Sequence, residues 1–284
     1  MYSLTRRQFL ISGAAIGSSL LAYARFESQL LQVRTINLRL ATPLKSPIRL
    51  LHLSDLHASP PVVSLNFLAR AFELGLQQKP DLILLTGDYV TRYLPPGNEY
   101  QNILRTLANY APTFASFGNQ DGGDFAFRTH GGYRDTSTVG NYLQSAGIVT
   151  LENQAQRILI RQQYLDIIGL SDMSAFDLDA YKNTFLSLSP IKNIPRIVLF
   201  HDSDGIRHLI PFTWDLVLAG HNHGGQLVVP FSNGYAPFSP ISRKRNLQGL
   251  MYFSGRPYYI TAGVGNLHGV RFNCPPEISL LIIH

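Results

Sequence analysis

Ile48-Arg49-Leu50-Leu51-His52-Leu53-Ser54-Asp55-Leu56-His57 is an apolar extended run that ends in a carboxylate and an imidazole. Leu82-Ile83-Leu84-Leu85-Thr86-Gly87-Asp88 repeats the pattern with one carboxylate. Short apolar runs bounded by glycine and polar residues are what strands buried on both faces look like. Three further runs behave the same way. Residues 113–117 lead to Gly118-Asn119, residues 196–200 lead to His201, and 216–219 lead to Gly220-His221-Asn222-His223-Gly224-Gly225. Five strand ends therefore carry Asp55, His57, Asp88, Asn119, His201, His221 and His223.

Those side chains are oxygen and nitrogen donors with no thiolate among them. The mixture suits a divalent cation such as Mn²⁺, Fe²⁺, Zn²⁺ or Mg²⁺ better than a structural zinc. Seven donors, one of them able to bridge, are about what two adjacent ions need, and two-metal sites perform phosphoryl chemistry. In Asp55-Leu56-His57 the two-residue spacing of an extended chain turns both donors to one side. Gly87 lets backbone approach closely and is expected to leave both Asp88 oxygens free to bridge. Asp-x-His or Gly-Asp alone is a weak signal. The ordered set, each member after an apolar run, is a specific one.

Between these points the spacing predicts a helix over 65–78, broken by Lys79-Pro80, and another over 98–110. A strand is expected over 33–40. Strand, helix, strand, helix, strand implies parallel pairing through crossovers. Residues 122–140 are rich in glycine and aromatics and read as a loop or lid, closed by a helix over 135–146. The second half repeats the logic. Strands are expected at 158–160 and 164–170, a helix at 175–186, a short helix at 205–210, and strands at 251–254, 258–261 and 278–283. Both halves deliver ligands from strand ends, so two packed sheets with the site along one shared edge are expected.

With these motifs in place, the chain resembles the calcineurin-like metallophosphoesterases over roughly residues 45–284. The likeness includes Gly224-Gly225-Gln226 after the histidine pair and a tail reading Arg271-Phe272, then Pro276-Glu277-Ile278. It implies an α/β fold, a four-layer αββα sandwich of two mixed sheets with a dinuclear site. By the family pattern Asp55, His57, Asp88 and His223 would hold one ion, and Asp88, Asn119, His201 and His221 the other. Such a pair clamps a phosphate oxygen and acidifies a bridging water, and the resulting hydroxide attacks phosphorus in line. The leader and tail look most like a membrane-associated or exported branch that also includes the UDP-2,3-diacylglucosamine pyrophosphatases of lipid A synthesis.

One departure from the family matters. Where the family usually has Gly-Asn-His and then an acid, this chain reads Gly118-Asn119-Gln120-Asp121. Asp88, Asn119, Gln120 and Asp121 are thus the expected catalytic positions, but an amide is no general acid. Leaving groups with acidic conjugate acids, as in pyrophosphates and activated diesters, are expected over alkyl monoesters. Arg271 and His268 are the expected substrate contacts. His130 also lies in a glycine-containing loop near the expected cleft. His52 reads as a core residue and His208 as a helix-surface one.

Composition sets the remaining bounds. The chain has 284 residues, 45% hydrophobic and 15% charged, with a formal charge of +6. Thr5-Arg6-Arg7-Gln8-Phe9-Leu10 is a twin-arginine pattern. About 16 uncharged residues follow, short of the roughly 20 a bilayer span needs, and end in the cleavage-type Ala22-Tyr23-Ala24. Residues 1–24 therefore read as an export signal, with an uncleaved membrane anchor as the alternative, and 33–284 as one domain. Without the leader, 22 basic and 18 acidic residues remain, a modest excess that suits an anionic substrate or membrane surface rather than nucleic acid. No obligate protein partner is inferred. Cys274 is the only cysteine, so no intramolecular disulfide can form. Residues Phe238-Ser239-Pro240-Ile241-Ser242-Arg243-Lys244-Arg245 interleave apolar and basic groups and suggest either a lipid-facing rim or a solvated loop.

These readings converge on a dinuclear metal-dependent phosphohydrolase acting on a phosphodiester or pyrophosphate, outside the cytoplasmic membrane or anchored to it facing the cytoplasm. The rivals are a UDP-2,3-diacylglucosamine pyrophosphatase and a metal-binding protein without activity.

Overall fold

The computed structural model describes residues 5–232, 234–237 and 247–284. The apolar and basic rim expected over 238–245 lies outside the described residues.

Among the described residues, twelve strands form two sheets of six. The first contains β1 (Gln32–Leu38), β2 (Ile48–Leu53), β3 (Leu82–Thr86), β4 (Thr113–Ser116), β5 (Val149–Thr150) and β12 (Glu277–Ile283), in the order β1-β12-β2-β3-β4-β5. The second contains β6 (Gln154–Ile160), β7 (Gln163–Gly169), β8 (Arg196–Leu199), β9 (Leu216–Ala219), β10 (Gly249–Phe253) and β11 (Arg256–Ile260), in the order β10-β11-β9-β8-β7-β6. Strands β2, β3, β4 and β5 run parallel, as do β7, β8, β9 and β11. Antiparallel contacts at β12–β2, β10–β11 and β6–β7 make both sheets mixed.

The pleat assigns the layers. Leu50, Leu82, Leu84 and Leu281 pack against Ile167, Ile197, Leu199 and Leu218 between the sheets. Their neighbours Leu51, Leu53, Ile83 and Leu85 turn the other way, onto helices α2 (Leu65–Leu76), α3 (Glu99–Tyr110) and α5 (Ser137–Ser145). Ile168, Val198 and Val217 face α6 (Leu178–Ser187) and a 3₁₀ turn over Ser203–Leu209. The result is the expected αββα sandwich. The Gly-rich segment is not all loop: it contains α4 (Asp124–His130), entered through Gly123 at φ 96.

The amino-terminal helix α1 spans Arg6–Glu27, its start capped reciprocally by Thr5 and Gln8. It continues past residue 24, and its last turn is tied to the body. Arg271 N–H donates to Ala24 O at 2.9 Å. The Glu27 carboxylate accepts from Asn273 N–H at 2.9 Å and Cys274 N–H at 2.6 Å. Among the described residues no helix is long and apolar enough to cross a membrane.

The sandwich interior should dominate stability. Leu218→Ala, between the sheets, is expected to cost about 2–5 kcal/mol in urea unfolding. Leu159→Ala, on an exposed position of β6, is expected to stay within about 0.5 kcal/mol. Equal effects would contradict the layer assignment.

Candidate metal centre

The site is built where parallel strands of both sheets stop. From the first sheet, β2 leads to Asp55 and His57, β3 to Asp88 and β4 to Asn119; from the second, β8 leads to His201 and β9 to His221 and His223. Backbone bonds lock the loops together: Asp55 N–H donates to Gly87 O, His57 N–H to Asp88 O, and Gly220 N–H to His201 O, each at 3.0 Å. Asp55, His57, Asp88, His221 and His223 all have positive φ, between 45° and 70°. Such conformations cost of order 1–3 kcal/mol each and cluster at functional sites. Two glycines permit the crowding. A Cβ on Gly118 would collide with the Asp88 carboxylate, and one on Gly220 with Ser54 and the Asp55 carboxylate.

Two groups of donors result: Asp55, His57 and His223, and Asp88, His201 and His221. All are buried except His221, which is partly exposed. In the first group, His57 Nε2 lies 3.1 Å from His223 Nε2 with the rings stacked at 4.9 Å. His223 Nε2 is 3.5 Å from Asp55 Oδ1. In the second, His201 Nε2 is 3.3 Å from Asp88 Oδ2. The same oxygen is 3.6 Å from His57 Nε2. Asp88 Oδ2 therefore stands between the two groups. Its other oxygen is not free, contrary to the expectation from Gly87: Oδ1 accepts from Gln120 N–H at 2.9 Å.

Outer partners orient the ligands. The Nδ1–H of His201 donates to Thr86 O, which fixes the tautomer and leaves Nε2 directed at Asp88. His57 Nδ1 lies 3.3 Å from Thr91 Oγ1. Both Asp55 oxygens accept from His221 N–H, at 3.0 and 3.1 Å. Burial holds His57 and His223 below the usual histidine range, in the neutral form a metal requires. Burial alone would raise the Asp88 carboxyl, but the adjacent His201 imidazole outweighs it and holds it low.

The donor chemistry fits divalent cations. Two imidazole nitrogens 2.0–2.1 Å from one ion, at about a right angle, are roughly 3 Å apart, close to the His57–His223 separation. Asn119 Oδ1, His201 Nε2 and His223 Nδ1 are buried without a hydrogen-bond partner. Such atoms are costly unless something pairs with them. Asn119, between Gly118 and Gln120 whose backbone packs on the Asp88 carboxylate, offers a buried, unpaired neutral oxygen.

Two sequence readings change in the structure. Arg271, expected to meet substrate phosphate, is fully buried. Its guanidinium donates to the carbonyls of His223, Ala262, Gly263, Gly265 and Cys274. Burial shuts it off from substrate, and it instead positions the His223 loop. Asp121 is buried as well, and its oxygens accept from the N–H groups of Asp88, Tyr89 and Gly118 at 2.7–2.8 Å. Burial and the nearby Asp88 charge push its carboxyl up to about 8, against the pull of those bonds. It clamps the β3 and β4 loops together and has no oxygen turned to the cleft. Gln120 is buried beside Asp88 with its own Oε1 unpaired. His268 lines a cleft of about 330 Å³ with Arg25, Ser28, Gln29, Pro61 and Val62. Reading the sequence missed Thr86 and Thr91. Only Thr86, next to Gly87-Asp88, had a position that marked it.

Comparison with known proteins agrees with this geometry. The family model described as calcineurin-like phosphoesterase matches residues 48–225. The chain is 39% identical over 237 residues to phosphodiesterase YaeI of Escherichia coli, covering 83% of this chain and 82% of that protein. It is 30% identical over 240 residues to the uncharacterised metallophosphoesterase YkoQ of Bacillus subtilis, covering 84% of each. It is 26% identical over 276 residues to the UDP-2,3-diacylglucosamine pyrophosphatase LpxG of Chlamydia muridarum, covering 82% of this chain and 83% of that one. With its twin donor groups at the shared edge of two sheets, this chain belongs to the calcineurin-like phosphoesterase family and is a metallophosphoesterase.

Proposed function

We propose that this protein hydrolyses a phosphodiester or pyrophosphate bond with two divalent cations bridged by Asp88. The observation that carries the reading is Asp88 Oδ2, which lies 3.3 Å from His201 Nε2 on one side and 3.6 Å from His57 Nε2 on the other. Asp55, His57 and His223 would hold one ion, and Asn119, His201 and His221 the other, with Asp88 shared. When bound, such ions supply Lewis-acid polarisation of the phosphoryl group and an acidified water. The chain contributes rigidity: buried ligands, fixed tautomers and loops clamped by Asp121 leave little reorganisation during reaction.

What the chain withholds is a proton. Gln120 offers only an amide. Asp121 has both oxygens engaged by backbone N–H groups. No side chain of this loop can protonate the leaving oxygen, so phosphate-like or phenolate leaving groups are favoured.

A lipid-linked substrate is the second reading, supported by the likeness to LpxG. LpxG is named for UDP-2,3-diacylglucosamine, a nucleotide-linked lipid. We place the body beyond the cytoplasmic membrane by the twin-arginine route, and that location argues against a cytoplasmic precursor. A topology reporter fused to the C-terminus is expected to be active outside. Activity inside would favour the anchored, cytoplasm-facing lipid enzyme.

Two further outcomes are expected. Asp88→Asn should lower turnover of an aryl phosphodiester with Mn²⁺ by at least about 100-fold, since even outer partners cost 10–100-fold, and should reduce bound metal by elemental analysis. Normal metal content with no turnover in the unaltered protein would favour a silent metal-binding protein. In a leaving-group series, Gln120→His should raise rates for alkyl esters by up to about 100-fold and leave aryl esters nearly unchanged. Equal gains for both would defeat the leaving-group argument.

A further inference from the structure

We propose that α1 stays on the folded protein and that its last turns, with residues 227–231, form a plate that seats the metal site on an anionic lipid surface. An open groove of about 390 Å³ runs between α1 and the body. Leu20, Leu21 and Ala24 line one wall, and Val228, Pro230 and Phe272 the other. The apolar surface continues outward: Leu20 is 50% exposed, Leu21 57%, and Phe231 wholly so. Contiguous apolar surface of this kind marks an interaction site.

The position of α1 is built in. Ala24 O and the Glu27 carboxylate accept from backbone N–H groups of Arg271, Asn273 and Cys274. Ser28 Oγ donates to Gly269 O at 3.2 Å. The Tyr23 ring meets the Phe272 ring edge-on at 5.7 Å. Cleavage after Ala24 would remove one wall of the groove. The plate is also coupled to the site. Phe272 N–H donates to Gln226 O, and Gln226 N–H donates to His223 O, each at 2.9 Å.

Charge selects the occupant. No acidic residue precedes Glu27, whereas Arg6, Arg7 and Arg25 lie in α1. A helix that carries apolar side chains and, before Glu27, only arginine charges fits the interface of an anionic bilayer. A second copy of the chain would instead bring two cationic helices together. The proposal deepens the membrane reading above, and it is scored by binding, apart from turnover.

The test is sedimentation of the full-length protein with phosphatidylcholine vesicles, with and without phosphatidylglycerol. The unaltered protein should bind the anionic vesicles, and Leu20→Asp with Phe231→Asp should weaken binding at least about tenfold. Hydrolysis of a soluble aryl phosphodiester should be unchanged. The proposal is overturned if the unaltered protein stays in the supernatant or the variant binds equally well. It is also overturned if the same changes break a dimer instead, or if protein from cells begins at Arg25. Vesicle binding without any turnover would count against the hydrolase reading and leave this one standing.

Discussion

A carboxylate withdrawn from water must be matched by positive charge or by hydrogen-bond donors, and the site depends on how this is met at Asp88. The side chain is 2% exposed. One oxygen is satisfied by the protein, through Gln120 N–H. The other faces only imidazole nitrogens, from His57 in the first sheet's loops and His201 in the second's. Asp55 adds another fully buried carboxylate at the same edge. The buried guanidinium of Arg271 turns its Nη groups to backbone carbonyls. The charge imbalance is resolved most simply by cations held between the two donor groups.

The sandwich exists to hold that edge still. Parallel strands β2, β3 and β4 bring three loops side by side, and β8 and β9 bring two more from the facing sheet. Each loop must turn at once into a ligand, which explains five non-glycine residues at positive φ. The cost of those conformations is offset by the bonds that hold them: Asp121 to three N–H groups, and Asp55 to His221 N–H. The strain and its clamps form one device, and the device leaves Gln120 where a proton donor would otherwise stand.

Much of this was legible in the sequence. Continuous apolar runs such as Leu82-Ile83-Leu84-Leu85 announce strands covered on both faces, and the ligands follow because strand ends are where such sheets expose side chains. The spacing over 65–78 and 98–110 marked α2 and α3 because their apolar faces are regular. Helix α4 was not legible: seven residues behind Gly123, dominated by aromatic and charged side chains, carry no helical stripe. Nor was the burial of Arg271. An arginine in a tail motif looks the same whether it meets phosphate or five carbonyls, and only the fold decides. The leader has the composition of an address, which does not show that Ala24 and Glu27 also pack on the tail.

The central claim is that one carboxylate is shared by two ions. Anomalous diffraction from crystals of the Mn²⁺-loaded protein tests it directly. The account predicts two peaks about 3.5–4 Å apart, one among Asp55, His57 and His223, the other among Asn119, His201 and His221, with Asp88 Oδ2 between them. A single peak, or two peaks of which only one touches Asp88, would contradict it.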